Sequence, residues 1–231
     1  MATRRQPNAY TESVDKYLKA ILALGGPEER RVASTALADR LGVASASVTN
    51  MLQKLAAGLP PLIEYERYHG VLLSAAGKRR ALEVVRHHRL IETFLYKELD
   101  YPLEEVHEEA ERLEHFISER FEERIAAKLG NPAIDPHGHC IPAMDGKMPK
   151  DNSMPLTQVK GEGIFEVDSI SDRDAATVKV LTTSGIAHGV QLRVRDMPAD
   201  GGYVVSIGRS AKVLHLSREA SDAVRIHLSH R

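Results

Sequence analysis

Two histidines and two glutamates near the middle of the chain stand at helical spacing: His107, Glu111, Glu114 and His115, at positions i, i+4, i+7 and i+8. Side chains three and four apart lie over one another on a helix, so Glu111, Glu114 and His115 are expected to converge within one turn. Carboxylate oxygens beside imidazole nitrogens, with no thiolate or thioether among them, suit hard or borderline ions such as Mn2+, Fe2+ or Co2+ better than Cu+ or a sulfur-rich zinc site. Upstream, His88 and Glu92 repeat the i, i+4 spacing, and antiparallel packing of the two segments would bring four to six donors together. Taken singly, such residues are ordinary solvated helix surface; it is their clustering that argues for chelation. The run Asp135-Pro136-His137-Gly138-His139-Cys140 adds donors in a loop with little packing reason to contain them. Asp135 with His137 is the favoured pair there, while His139 and Cys140 read equally well as incidental loop residues.

Catalysis on a metal, as in a hydrolase or oxidase, is the competing use of the same groups. The Glu-x-x-His pairs of helical di-iron bundles are missing, since the residue three before His115 is Arg112. No Ser/His/Asp set or glycine-rich phosphate loop accompanies the cluster, so a non-enzymatic role is expected.

A second constellation lies nearer the N-terminus. Ser34 to Leu41 carries Leu37 and Leu41 on one face, Gly42 breaks the pattern, and Ser45 to Leu55 resumes it with Val48, Met51, Leu52 and Leu55 inward. Two short helices about a glycine turn are the helix-turn-helix pattern. Its second helix presents Ser45, Ala46, Ser47, Thr49 and Asn50 early, groups small or polar enough to meet base edges, with Gln53 and Lys54 in reach of phosphates. The bland alternative is that a serine-rich start merely caps the helix. Segments Leu62 to Glu66 and Val71 to Ser74 flank Arg67-Tyr68-His69-Gly70, a hairpin wing whose tip would touch the DNA backbone or minor groove. With so little arginine on the reading helix, two half-sites gripped by a symmetric dimer are required.

The elements that must position these groups follow from periodicity. A first helix begins after Thr11 and carries Tyr17, Leu18, Ile21 and Leu22 to Gly25-Gly26-Pro27. Ala75 to about Leu99 forms another, and from Leu103 the residues Val106, Ala110, Leu113, Ile117, Phe121 and Ile125 step by three or four through one more. Two long amphipathic helices with no third partner suggest a dimer interface. From Gly130 to Met154 there is no periodicity, and beyond it Gly163 to Val167, Gln191 to Val194 and Tyr203 to Ile207 alternate as strands of a small β-barrel. The expected domains are therefore 1–74, 75–130, a linker at 131–154, and 155–231.

Net charge is close to zero, with 31 Lys+Arg against 32 Asp+Glu, so the whole chain makes no case for nucleic acid. Distribution does: residues 1–100 hold 15 Lys/Arg and 11 Asp/Glu, ahead of a glutamate-rich middle. No apolar run nears membrane-spanning length, no leader pattern opens the sequence, and the single cysteine, Cys140, suits a reducing compartment. A cytoplasmic protein without a membrane partner is expected.

These residues resemble the diphtheria toxin repressor family of metal-dependent regulators, and more closely its manganese-responsive branch. The resemblance covers nearly the whole chain. It is carried by Tyr17-Leu18-Lys19-Ala20-Ile21, by Leu37-Ala38-Asp39-Arg40-Leu41-Gly42-Val43 leading into Ser47-Val48-Thr49, by His87 to Leu95, by Val106 to His115 and by Asp135 to Pro142. It implies a mainly α chain with a small β domain: a winged helix-turn-helix, a helical dimerisation and metal domain, and a C-terminal SH3-like barrel of the FeoA type. It implies a homodimeric repressor of metal-uptake genes on double-stranded operator DNA, responding to Mn2+ or alternatively Fe2+, with Co2+, Zn2+ or Cd2+ as substitutes. It assigns Glu111, Glu114 and His115 as regulatory ligands with His88 shared or adjacent. Glu92, His107, Asp135 and His137, with Asp172 or Asp174 from the barrel, become an ancillary site. Glu111 stands where iron-responsive members carry cysteine, which favours manganese. One position departs: the residue before the helix-one tyrosine, a ligand in the family, is Lys16, and Asp15, Glu12 or water would have to substitute. In the family switch, the ion fixes helix one and sets the DNA domains at half-site spacing, coupling metal to DNA binding.

Overall fold

The computed structural model describes residues 10–149, 151–210 and 212–228. Contacts divide these into two units, the first drawn from Met1–His88, Arg112–Arg124 and Pro142–Lys150, the second from Arg89–Glu111, Ile125–Ile141 and Asp151–Arg231.

In the first unit, helix α1 (Glu12–Gly25) starts where Thr11 Oγ1 accepts the Val14 N–H at 3.4 Å and stops at Gly26. Helix α2 (Ser34–Leu41) ends on Gly42 in the left-handed region, whose N–H returns to Ala38 O, and the chain re-enters as α3 (Ser45–Ala57). Strands β1 (Ile63–Glu66) and β2 (Gly70–Leu73) pair antiparallel as the wing, and Val32 bridges to Val71 beside them. Gly70 is required at that junction: its φ is +90°, and a Cβ there would lie 2.6 Å from Val32 O. Leu18, Leu37, Val48, Leu52 and Val71 are wholly buried in one core, each contributing roughly 1.5–3 kcal/mol through removal of apolar surface from water. This is the winged helix-turn-helix expected from the periodicity.

Helix α4 (Ala75–Glu98) leaves the wing directly, with Ser74 Oγ accepting the Gly77 N–H, and runs unbroken for 24 residues. The single long helix expected from Leu103 to Ile125 is instead two: α5 (Val106–Leu113) and α6 (Glu119–Lys128). Between them Phe116 N–H turns back to Leu113 O, and Ser118 Oγ accepts the Phe121 N–H at 3.3 Å, an N-cap bond that starts α6 afresh. The apolar stepping survives the break because both helices use the same period. Glu114 and His115 thus lie past the end of α5, and the four-residue chelating stripe does not stay on one helix.

The second unit holds a six-stranded antiparallel sheet in the order β3-β8-β4-β5-β6-β7. Its strands are β3 (Met154–Pro155), β4 (Gly163–Ile170), β5 (Gln191–Asp196), β6 (Tyr203–Ile207), β7 (Val213–Leu216) and β8 (Val224–Leu228). Alternation along β4, β5 and β6 matches the sequence reading. The short β3, β7 and β8, and helices α7 (Ala175–Thr183) and α8 (Arg218–Asp222), carried no signal strong enough to be read. Val167, Ile170, Leu181, Leu192, Val205 and Ile226 close its core, and Leu90, Ile125, Ala126 and Ile141 form a smaller cluster beside the linker. Residues 130–149 and 151–153 are irregular, as expected, apart from an Ile134–Cys140 bridge. Among the described residues no helix is long and apolar enough to cross a membrane.

Candidate metal centre and DNA-facing surface

The reading helix α3 leaves Ser45, Ala46, Ser47, Asn50, Gln53 and Lys54 exposed, and Thr49 half-buried with its hydroxyl donating to Ser45 O at 3.1 Å. Its N-cap residue is Ala44, with no side-chain capping bond, so the serines do not serve as caps. Their hydroxyls stay available to a partner. At the wing tip Tyr68 is exposed at φ +69°, with the Arg67 guanidinium 5.0 Å from its ring centre and His69 beside it. A cation held on an exposed aromatic ring is placed to meet phosphate.

In the second unit, α4, α5, the 135–139 loop and the segment after β4 bring together six donors. Glu92 Oε1 lies 3.3 Å from His107 Nδ1 and 3.8 Å from His137 Nδ1; Asp172 Oδ2 lies 3.6 Å from His107 Nδ1 and 3.8 Å from His139 Nδ1. Asp135 Oδ2 is 3.3 Å from His139 Nδ1 and 3.6 Å from Arg89 Nε. The loop is folded by Asp135 itself, whose Oδ1 accepts the N–H groups of both His137 and His139 at 2.9 Å, while His137 O accepts from Ile170 N–H of β4. Gly138 turns the chain between the two histidines at φ +97°, where a Cβ would sit 2.2 Å from Asp168 O. No side chain fits there.

Three carboxylates face three imidazoles in this cluster, with Arg89 beside Asp135. Burial pushes the His137 and His139 imidazoles down, but the neighbouring Glu92 and Asp135 carboxylates outweigh it and hold both above the ordinary histidine value. Burial pushes Asp172 up, and the surrounding histidines, His139 first, bring it below the ordinary carboxylate value. His137 is fully buried, yet neither ring nitrogen has a hydrogen-bond partner, and Asp135 Oδ2 also has none. Leaving such atoms unpaired costs about 1–3 kcal/mol each. Orphaned buried donors of this kind, facing three carboxylates, fit a divalent cation.

Of the two barrel aspartates offered by the sequence, Asp172 faces the cluster, whereas Asp174 caps α7 by accepting Thr177 N–H at 2.9 Å. His139, left open by the sequence, lies within the cluster. Cys140 contributes its carbonyl to Arg89, and burial pushes its thiol away from the reactive thiolate. Glu111 is half-buried and lines an open cavity with Glu104, His107, Glu108 and Asp172.

Glu114 and His115 belong to a different arrangement, in the first unit, where His88 also meets Glu114. Lys19 Nζ donates to both Glu114 oxygens, at 2.8 and 2.9 Å, and His88 Nδ1 lies 2.6 Å from Glu114 Oε2. His115 Nδ1 lies 3.2 Å from Asp15 Oδ2, and Arg80 clamps Asp15 through two bonds of 2.7 Å. Burial pushes the Asp15 carboxyl up, but hydrogen bonds from His115 and Arg80 and their charges take it below the ordinary value. Lys16 bonds Glu12 at the exposed surface, at 2.6 Å. Of the two residues weighed as replacements for the lost helix-one ligand, Asp15 thus reaches His115 and Glu12 does not point inward. An ion fits this group poorly, because cationic side chains already meet both acids. Lys19, Arg80 and Arg89 were missed by the sequence reading; their partners lie tens of residues away, where spacing carries no signal.

Comparison with known proteins places the chain in a family. Residues 9–71 match the family described as the iron dependent repressor N-terminal DNA binding domain, 74–143 its metal binding and dimerisation domain, and 154–228 the FeoA domain. The diphtheria toxin repressor of Corynebacterium jeikeium is 30% identical over 221 residues, 90% of each chain. The iron-dependent repressor IdeR of Mycobacterium tuberculosis is 25% identical over 233 residues, 95% of this chain and 98% of that one. A solved manganese-dependent transcriptional repressor in complex with manganese superimposes with a TM-score of 0.84 at 35% identity, covering 92% of this chain and 98% of the other. Fold and matches define a metal-dependent, DNA-binding transcriptional repressor that works as a homodimer, and not an enzyme. The chain belongs to the diphtheria toxin repressor family.

Proposed function

We propose that this repressor is manganese-responsive and acts in the cytoplasm, binding the operators of metal-uptake genes when manganese is plentiful. The ion's donors are drawn from Glu92, His107, Asp135, His137, His139 and Asp172. The DNA-facing residues are Ser45, Ala46, Ser47, Thr49, Asn50 and Lys54 on α3, with Arg67 and Tyr68 on the wing. The observation that carries the ion's placement is the fully buried His137 imidazole with no hydrogen-bond partner at either nitrogen, set among Glu92, Asp135 and Asp172. A bound dication would bring positive charge to those carboxylates and take up the imidazole nitrogen lone pairs, so its binding competes with protons.

Three carboxylates with three imidazoles and no sulfur ligand favour Mn2+, whose preference is for oxygen-rich sites; Fe2+, Co2+, Zn2+ and Cd2+ are the competitors for the nitrogen donors. Glu92 sits on the same unbroken helix that leaves the wing, so the element carrying a donor continues the DNA-binding fold along the chain. Whatever factor the ion adds to operator affinity, the operator must add to ion affinity.

A gel-shift series on DNA from upstream of a manganese-transporter gene tests this, with Mn2+, Fe2+, Zn2+ or chelator present. The expected result is tight binding with Mn2+, weaker response to the other ions, and loss in chelator. Equal binding in every lane would overturn the sensor reading, and a response confined to Fe2+ would overturn the choice of manganese.

A further inference from the structure

Glu114 is fully buried, and the cation it faces is part of the chain. Lys19, in the middle of α1, places its ammonium symmetrically on both Glu114 oxygens at 2.8 and 2.9 Å, with 18% of its side chain exposed. His88 Nδ1 occupies the remaining direction at Oε2, and His115 Nε2 lies 3.4 Å from Oε1. The neighbouring acid, Asp15, is satisfied in the same way by Arg80 and His115. Each buried carboxylate in this part of the first unit therefore has its own fixed cationic partner.

We propose that Lys19 is a built-in cation at Glu114. Its ammonium ties α1 to the turn between α5 and α6 whether or not metal is present, and it excludes a divalent ion from that carboxylate. A lysine ammonium tethered to the backbone by a four-carbon stem competes at a high effective concentration, whereas a free ion must first displace it and leave a protonated amine to be reburied or expelled. The family's regulatory switch, in which an ion fixes helix one, is then permanently closed at this position. Metal dependence is left to the cluster of Glu92, His107, Asp135, His137, His139 and Asp172. This rests on the manganese reading only for the choice of probe.

The test is the number of Mn2+ ions bound per protomer by the full chain, measured by equilibrium dialysis and Mn2+ electron paramagnetic resonance. Glu114→Gln is expected to leave the number unchanged, because Glu114 ligates no ion. Lys19→Glu, which sets two carboxylates face to face, is expected to gain one ion per protomer, and Lys19→Arg none. The proposal is overturned if Glu114→Gln removes an ion from the otherwise natural chain, or if folded Lys19→Glu gains none. Should Lys19→Glu fail to fold, the Glu114→Gln arm decides by itself. If the natural chain binds no Mn2+ while Lys19→Glu binds one, the manganese reading fails and the role of Lys19 stands.

Discussion

Arg80 and Asp15 form an almost completely buried ion pair, with side chains 4% and 1% exposed and two bonds of 2.7 Å. Such a pair adds little over a well-packed apolar pair, but removing one partner strands a buried charge at a cost of about 3–5 kcal/mol. Arg80→Ala is therefore expected to lower unfolding free energy by that amount in urea titration; a change below about 1 kcal/mol would show that water screens Asp15. Gly138 makes the sharpest residue-level claim about the metal cluster, since a Cβ there meets Asp168 O. Gly138→Ala is expected to displace His137 and His139 and weaken Mn2+ binding by at least tenfold in calorimetry, with the far-ultraviolet circular dichroism spectrum kept. Retained affinity would mean that the loop conformation is unimportant to the ion.

At the scale of elements, α4 and α6 are joined by charge. Glu122 accepts from Arg86 and from His87 Nε2 at 3.0 Å, while His87 Nδ1 faces Glu114 O at 3.2 Å. An oxygen thus faces each ring nitrogen; burial pushes His87 down, but Glu122 brings it above its ordinary value. Burial pushes Glu122 up, and His87 and Arg86 bring it below its ordinary value. A carboxylate lowered by folding stabilises fully above its unfolded value, about pH 4.3, and loses that contribution as pH falls through the folded value. Glu122→Gln is accordingly expected to flatten the acid limb of the stability profile, measured as urea midpoint against pH between roughly pH 5 and 2. An unchanged acid limb would place the acid sensitivity elsewhere. The same elements mark where the sequence was legible. The winged helix was read almost residue for residue, because Gly42 and the wing turn punctuate a clean change of period. The break between α5 and α6 was missed because Leu113, Ile117, Phe121 and Ile125 keep a helical step across it; Ser118, followed by Glu119, was the available signal. In the proposed metal cluster, the structure brings together Glu92, His107, Asp135 and His137, which the sequence singles out by type and setting. Asp172 could be told from Asp174 only once α7 had claimed the latter as its cap. The Lys19–Glu114 pair spans 95 positions and leaves no trace in local spacing.

At the scale of the whole molecule, a homodimeric repressor must cover apolar surface left open in a single chain. Phe116 is 77% exposed and Phe121 49%, in and just after the turn that interrupts the helical pattern. An interface needs apolar anchors at its centre. Phe116→Asp with Phe121→Asp is expected to convert the dimer to monomer in sedimentation velocity and to cost operator affinity, since one reading helix with few cationic side chains grips only one half-site. A dimer that survives both changes would move the interface to another face.

The central claim is that an ion at the His137 cluster sets operator affinity, and the most direct test is fluorescence anisotropy of labelled operator DNA. The natural chain and His137→Ala are each titrated onto the DNA in saturating Mn2+ and again in chelator. A Mn2+-dependent gain of roughly 5–150-fold is expected for the natural chain, the usual range of allosteric coupling, and no gain for His137→Ala. The same gain in both proteins would contradict the claim, because the ion that gates DNA binding would then sit somewhere other than this cluster.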